Sequence, residues 1–514
     1  MAKARNPGAG AKRTKSTNGE AASEPEKKTD PGATSEPERY TREHLHQDLM
    51  RGIVTEPLLT HILAAPESPF DIIISLNELF PEGLDKAAEW VEGELKKLKP
   101  KPERVARAAN YVFARLTGTQ ILALAAVYRS WVKSQGDRFK SPVYRVWEDA
   151  EIHPCLTRSL ATIKGDACHR AFNSFGEGIV WAVLDSGIDK NHLHFAPDTI
   201  DVTLSQTFAG GSATEDKFGH GTHVAGIIAG SWKSDPKQPV VATEMLIEGT
   251  DQTEIKLDEL GTISGIAPKA KLVSYKVLDD SGVGKTSAVL TAIEEIQKLN
   301  QHGRRLRIHG VNLSLGYDFN PRWFGCGQSP VCVEVDRLVR SGVVVVVAAG
   351  NSGFSGLSLT AQGTNELGYR DVSINDPGNA DLAITVGSTH RDMPHTYGVS
   401  FFSSRGPTGD GRLKPDLVAP GERIVSCAAG SFLAKMRGKV PAGATILYLE
   451  QSGTSMAAPH VSGAIAAFLS VRQEFIGHPE KVKELFLANT IDLKRERAFQ
   501  GHGMLDLLKV LQAV

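Results

Sequence analysis

Apolar positions along this chain change rhythm several times, and each change marks an element. Residues 1–40 hold almost no large apolar side chain and are rich in Pro, Gly, Ser, Thr, Glu and Lys. Such a segment buries too little surface to offset its ordering entropy, so a disordered tail is expected. Leu45, Leu49 and Ile53, then Leu58, Leu59 and Ile62, recur at helical spacing, and Gly52 and Pro57 interrupt them. Two short helices are expected over 41–66. Residues 71–76 then read as a strand. An amphipathic helix follows over 84–98, through Leu84, Ala87, Ala88, Val91, Leu95 and Leu98. Strand, helix and strand patterns follow at 111–116, 119–131 and 143–148. This order predicts a small α+β domain over 67–153, with a linker at 154–177.

Beyond residue 178 the texture is different. Short apolar runs at 179–184, 270–278, 308–315, 343–348 and 382–386 alternate with helical stretches at 223–229, 286–300, 331–340 and 460–471. Continuous apolar strands alternating with helices predict an α/β domain over 178–514, a parallel sheet with helices on both faces. In such sheets functional groups gather at the carboxyl ends of the strands. Asp185 and Asn351 fall there.

Composition narrows the choice of partner. The 514 residues are 41% hydrophobic and 23% charged, with a net charge of -1, which gives no reason to expect nucleic acid or a membrane as a partner. No run approaches the roughly 18 to 20 uninterrupted apolar residues of a membrane span. Residues 1–20 are basic but lack the apolar core of a secretory signal, so a cytoplasmic location is expected. The cysteines agree. Cys155, Cys168, Cys326, Cys332 and Cys427 are sparse and odd in number, and reduced thiols are expected even for the close pair Cys326 and Cys332.

Three segments carry candidate chemistry. Gly453-Thr454-Ser455-Met456-Ala457-Ala458-Pro459-His460-Val461-Ser462-Gly463 is a small-residue turn feeding an apolar helix. Ser455 is thereby placed where unpaired N–H groups and the helix dipole favour negative charge. Pro459 fits as a first-turn residue. Upstream, the strand at 179–184 ends on Asp185-Ser186-Gly187-Ile188-Asp189, and His220-Gly221-Thr222-His223-Val224-Ala225-Gly226 opens a second apolar helix. A carboxylate, an imidazole and a hydroxyl, each at the edge of a buried element, are the parts of a nucleophilic triad. His223 and Asp189 compete for two of those roles. A plain helix cap is the alternative for Ser455.

In the order Asp, His, Ser, these segments resemble the boxes of the subtilisin-like serine peptidases, the subtilase family. Val311-Asn312-Leu313-Ser314-Leu315-Gly316, the strand before Gly350-Asn351-Ser352-Gly353, Ser403-Ser404-Arg405-Gly406-Pro407 and Lys414-Pro415-Asp416 extend the likeness over about residues 178 to 514. The resemblance implies hydrolysis of peptide bonds in peptide or protein substrates, with no cofactor required for the chemistry. It assigns Ser455 as nucleophile, His220 rather than His223 as base, Asp185 as the group that orients it, and Asn351 as oxyanion donor. Substrate backbone would pair with Ser314, Leu315 and Gly316 on one side and Gly282, Val283 and Gly284 on the other. Ala348, Ala349 and Gly350 would wall a roomy, largely apolar S1 pocket.

Residues 67–153 resemble, more weakly, the inhibitory propeptide of many subtilases, through Leu116-Thr117-Gly118-Thr119, the helix after it and a last strand ending at Glu148-Asp149. That likeness implies an N-terminal domain acting as intramolecular inhibitor, with processing between Asp149 and Gly176. A partner-binding domain is the alternative, and for the larger domain a catalytically silent fold. His220 and His223 lack the adjacent glutamate of a zincin, so no metal site is expected. The long segment 231–261 holds Asp235, Glu244, Glu248, Asp251, Glu254, Asp258 and Glu259; a structural calcium is open there, and a solvated acidic insertion is the plainer reading. A second insertion occupies 354–375.

Overall fold

Along Val344–Ala348 successive side chains pack into two different cores, and that alternation organises the larger unit. Val344, Val346 and Ala348 join Trp181 and Val183 on one face of a sheet, while Val345 and Val347 join Ala182 and Leu184 on the other. The computed structural model describes residues 53–514 apart from 109, 136, 138–139, 150–157, 234–238, 247–252, 359–364, 438 and 441–444. The expected tail at 1–40 and the start of the helical segment at 41–66 lie outside those residues. Two units result, Met1–Asp149 and Ala150–Val514.

The larger unit carries a seven-stranded parallel sheet. Its strands are β1 (Val180–Asp185), β2 (Gln206–Thr207), β3 (Lys271–Lys276), β4 (Gly310–Leu313), β5 (Val344–Ala348), β6 (Ile384–His390) and β7 (Leu417–Glu422), in the spatial order β7-β6-β5-β4-β1-β3-β2. Helices α1 (His220–Ile228) and α4 (Thr454–Val471) bury their side chains in the core on one face, and α2 (Thr286–Leu299) and α3 (Pro330–Arg340) do so on the other. This is the α/β architecture expected of the pattern. Helix α4 is buried from Met456 to Leu469 without a break. Its length and mean hydropathy of 1.2 match a membrane span, but here the apolar girth belongs to the central core helix.

Two expectations are corrected here. The acidic insertion within 231–261 is built into the fold: Pro239–Leu246 and Thr253–Glu259 form a hairpin that joins Tyr448–Gln451 and Ile424–Cys427 in a four-stranded sheet, with Glu259 exposed. Val240, Val241 and Ala242 are buried in it. Asp235, Glu248 and Asp251 lie outside the described residues. The second insertion is also a hairpin, Phe354–Ser358 with Asn365–Tyr369. Residues expected to form a linker are in part folded onto the larger unit, as helices Arg158–Thr162 and Gly165–Phe172, with Leu160, Ile163 and Cys168 in the core around α4. Cys168, Cys326, Cys332 and Cys427 are free thiols; Cys155 lies outside the described residues.

The smaller unit has the element order β-α-β-β-α-β. Its antiparallel sheet runs, across the strands, Val105–Ala108, Tyr111–Thr117, Pro69–Leu76, Val143–Glu148, with helices Leu84–Lys97 and Gly118–Gln135 packed on one face. Val105–Ala108 is an additional strand that the apolar pattern does not signal, because it is an exposed edge strand with no inward apolar alternation. Helix Glu56–Ala64 sends Leu58 and Ile62 into the same core, so this unit extends to the N-terminal side of residue 67.

Candidate active site

Asp185 ends β1 and His220 begins α1, so the strand's carboxyl end and the helix's amino end meet. The His220 ring Nδ1 lies 2.8 Å from Asp185 Oδ1, which also accepts the Ser186 N–H at 2.7 Å. Asp185 is 1% exposed, and its Oδ2 has no hydrogen-bond partner among the described residues. Helix and strand approach this closely because residue 221 is glycine: a Cβ there would stand 2.2 Å from Gly187 O and 3.1 Å from Asp185 Cβ.

A second carboxylate, which sequence reasoning missed, fixes this corner. Buried Asp216 accepts the Gly219 N–H at 2.7 Å and the Ser186 hydroxyl at 2.9 Å on Oδ1, and the Thr222 N–H at 2.8 Å and hydroxyl at 2.7 Å on Oδ2. Ser186 Oγ in turn accepts the Gly221 N–H at 3.0 Å. One side chain therefore ties the residue after Asp185 to the turn that presents His220. Burial alone would lower the His220 pKa, but the charge and hydrogen bond of Asp185, helped by the charge of Asp216, hold it above its ordinary value. Three residues on, His223 is fully buried with Nε2 on Leu449 O, and burial pushes its pKa down to about 3. It stays neutral and structural, as its place in the motif implied.

Ser455 lies in the first turn of α4, whose N-cap is Gly453 rather than Ser455 itself. The plain-cap alternative therefore fails. Its N–H is one of the helix's unpaired amino-terminal donors. Pro459 corrects the expected helix start, for it sits inside the helix, a turn deeper than the motif suggested. Having no N–H, it cannot bond the Ser455 carbonyl four residues back. The Ser314 hydroxyl takes that carbonyl instead, at 2.8 Å. The Ser455 hydroxyl donates to the Ser314 carbonyl at 3.0 Å, and no hydrogen bond joins it to His220 among the described residues.

Thr454 sets the oxyanion candidate. Its N–H and its hydroxyl both donate to Asn351 Oδ1, at 2.9 and 3.0 Å, while its Oγ1 accepts the Gly350 N–H at 3.1 Å. With Oδ1 occupied, Asn351 Nδ2 is the end of an exposed amide with no hydrogen-bond partner among the described residues.

These bonds tie Ser314 to Ser455 and Gly350 to Thr454 beside it, while Ala348 ends β5 and Ala349 follows it. Leu315 and Gly316 continue from β4, and among the described residues no backbone hydrogen bond uses either. On the other side Gly282 packs on the Phe218 ring, Val283 is 65% exposed, and Gly284 bridges to Leu278. Phe218 and His220 have ring centroids 6.5 Å apart, which sets this second edge beside the base. Gly350 abuts Asn375, and Ser352 contacts Asp318. Among the described residues no group of three or more His, Cys, Asp or Glu side chains is arranged to hold a metal.

Residues 176–504 match the subtilase family. The serine protease AprX of Bacillus subtilis is 30% identical over 360 residues, covering 69% of this chain and 71% of that protein. The major intracellular serine protease of the same organism is 30% identical over 339 residues, 65% of this chain and 82% of its own. Subtilisin E, also from Bacillus subtilis, is 31% identical over 313 residues, 60% of each. A match over more than half the chain, joined to the parallel sheet and the paired Asp185 and His220, leaves one conclusion: the chain belongs to the subtilase family and is a subtilisin-like serine endopeptidase.

Proposed function

We propose that this endopeptidase works through Asp185, His220 and Ser455 and is made as a precursor held inactive by its own N-terminal unit. The 2.8 Å bond between His220 and Asp185 supports the triad most directly. That bond fixes the ring's tautomer, so Nε2 is the free acceptor for the Ser455 proton. The Ser455 hydroxyl leaves the Ser314 carbonyl, rotates to His220 and attacks the substrate carbonyl carbon. The tetrahedral oxyanion then takes hydrogen bonds from Asn351 Nδ2 and the Ser455 N–H. His220 returns the proton to the leaving amine, and water repeats the sequence on the acyl-enzyme.

The inhibitor reading rests on the smaller unit's open sheet face. Ile73, Phe113 and Trp147 stand in register across three strands on the side away from the helices, with Tyr111 45% and Trp147 42% exposed. Exposed aromatic side chains on a sheet face, beside the Asp71–Arg115 ion pair, are suited to docking on a partner surface. Helices Arg158–Thr162 and Gly165–Phe172 are packed into the peptidase core, which favours processing on the N-terminal side of Arg158. Free thiols at four positions suit a reducing compartment, the cytoplasm.

The test pairs intact-mass measurement of the full chain with the same measurement on Ser455→Ala, each also treated with a fluorophosphonate probe. Wild type is expected to label at Ser455 and to lose its N-terminal unit, and the variant to do neither. A chain that labels yet stays full length overturns the self-processing reading. Failure to label overturns the triad.

A further inference from the structure

The S1 slot, on the peptidase reading above, can be followed past its walls to an end where Asp318 is exposed. The wall that continues from β4 and the wall after β5 are joined by a single segment. Tyr317 and Asp376 exchange N–H···O bonds at 2.9 and 3.0 Å, and the Asn375 N–H donates to Ala349 O at 3.0 Å. Asn375 is thereby fixed between the walls. Both facing glycines abut it: a Cβ on Gly350 would stand 2.6 Å from Asn375 Cγ and Oδ1, and one on Gly316 would stand 3.4 Å from Asn375 Cβ. The Asn375 side chain therefore fills the space beside the two glycines and bounds the slot there.

Ser352, next to Asn351, adds the second part of that end. Its Oγ lies 3.3 Å from Asn375 Oδ1 and 3.3 Å from Asp318 Oδ1. Three oxygens converge, and a single hydroxyl proton is available among them. No lysine or arginine pairs with Asp318 among the described residues. A carboxylate in an acceptor-rich cluster is satisfied by an incoming donor, best by a cationic one with several N–H groups. An aromatic or aliphatic side chain would strip water from these oxygens and offer nothing in return.

We propose that Asp318, Ser352 and Asn375 form the polar end of the S1 slot and select substrates carrying arginine or lysine immediately before the scissile bond. The substrate's stem lies along the two walls over Asn375, its cation meets Asp318, and the Asn375 and Ser352 oxygens take further N–H groups.

Chromogenic peptides identical except for arginine, lysine, phenylalanine, leucine or glutamate at that position provide the test. They are assayed on the full-chain preparation of wild type and of Asp318→Asn, each titrated with the fluorophosphonate probe. Wild type is expected to favour arginine and lysine over phenylalanine and leucine by about tenfold or more in kcat/KM, the size of one hydrogen bond to a charged group. Glutamate is expected to be the poorest. Asp318→Asn should cut the arginine-to-phenylalanine ratio by about the same factor. A wild-type preference for phenylalanine or leucine overturns the proposal without any variant, and so does a variant that lowers every peptide equally. In either case labelling at Ser455 shows that the peptidase reading still stands. Loss of both labelling and cleavage overturns that reading and the slot with it.

Discussion

The corner that holds His220 and the corner that holds Ser455 meet the same positional demand with different chemistry. Around His220 the holding groups are buried carboxylates, Asp185 and Asp216, which together accept hydrogen bonds from Ser186, Gly219, Thr222 and the imidazole itself. Around Ser455 every holding group is neutral: Thr454 to Asn351, Gly350 to Thr454, and Ser314 reciprocally with Ser455. Hydrogen bonds to charged groups are worth about 1.5–3 kcal/mol and neutral ones about 0.5–1.5 kcal/mol. The first corner is therefore held more strongly and is tied to pH. The second is held by number and is indifferent to pH.

That contrast can be broken hardest at Asp185. Asp185→Asn keeps the shape but removes the charge that fixes the imidazole, and kcat should fall about 10,000-fold, with circular dichroism unchanged. At the neutral corner Asn351→Ala removes an oxyanion donor, and kcat should fall about 100- to 1,000-fold with KM little altered; the size is borrowed from the equivalent loss in subtilisin.

Asp216→Asn sharpens the comparison further. Losing the charge in this buried network should lower kcat/KM about ten- to a hundredfold, as for loss of a hydrogen bond to a charged group. The pH profile should move as well. His220 is held above 6.5 partly by this negative neighbour, and without it the imidazolium is less stable. The neutral base then persists to lower pH, so the acid limb of kcat/KM shifts towards lower pH. Thr454→Val, the neutral counterpart, should cost about tenfold in kcat through a loosened Asn351, yet leave the acid limb where it was. A shift of that limb in the threonine variant would erase the distinction between the corners.

Much of this was legible in the chain, and the failures have physical reasons. Five of the seven parallel strands are short apolar runs and declare themselves. Gln206–Thr207 is two exposed residues with no pattern. Leu417–Glu422 contains Pro420 and Gly421 and reads as a loop, yet it lies at the sheet's edge, where a missing N–H is tolerated. Acidic residues at 244–259 suggest solvent, while Val240, Val241 and Ala242 beside them supply the buried stripe that makes a hairpin. Asp185, His220 and Ser455 stand in motifs whose form is itself a signal. Asp216 stands four residues before His220 in a polar loop, and only the folded turn reveals its four bonds. Asp318 and Asn375 escape for a related reason: they are 57 residues apart, and their meeting at Ser352 depends on two strands lying side by side.

Pro459 leaves α4 with a permanently vacant socket near its start, and a neighbouring strand has plugged into it. That strand runs on into Leu315 and Gly316, so the segment proposed to pair with substrate is hydrogen-bonded in both directions to the proposed nucleophile. One proton left out of a helix is what ties the two together.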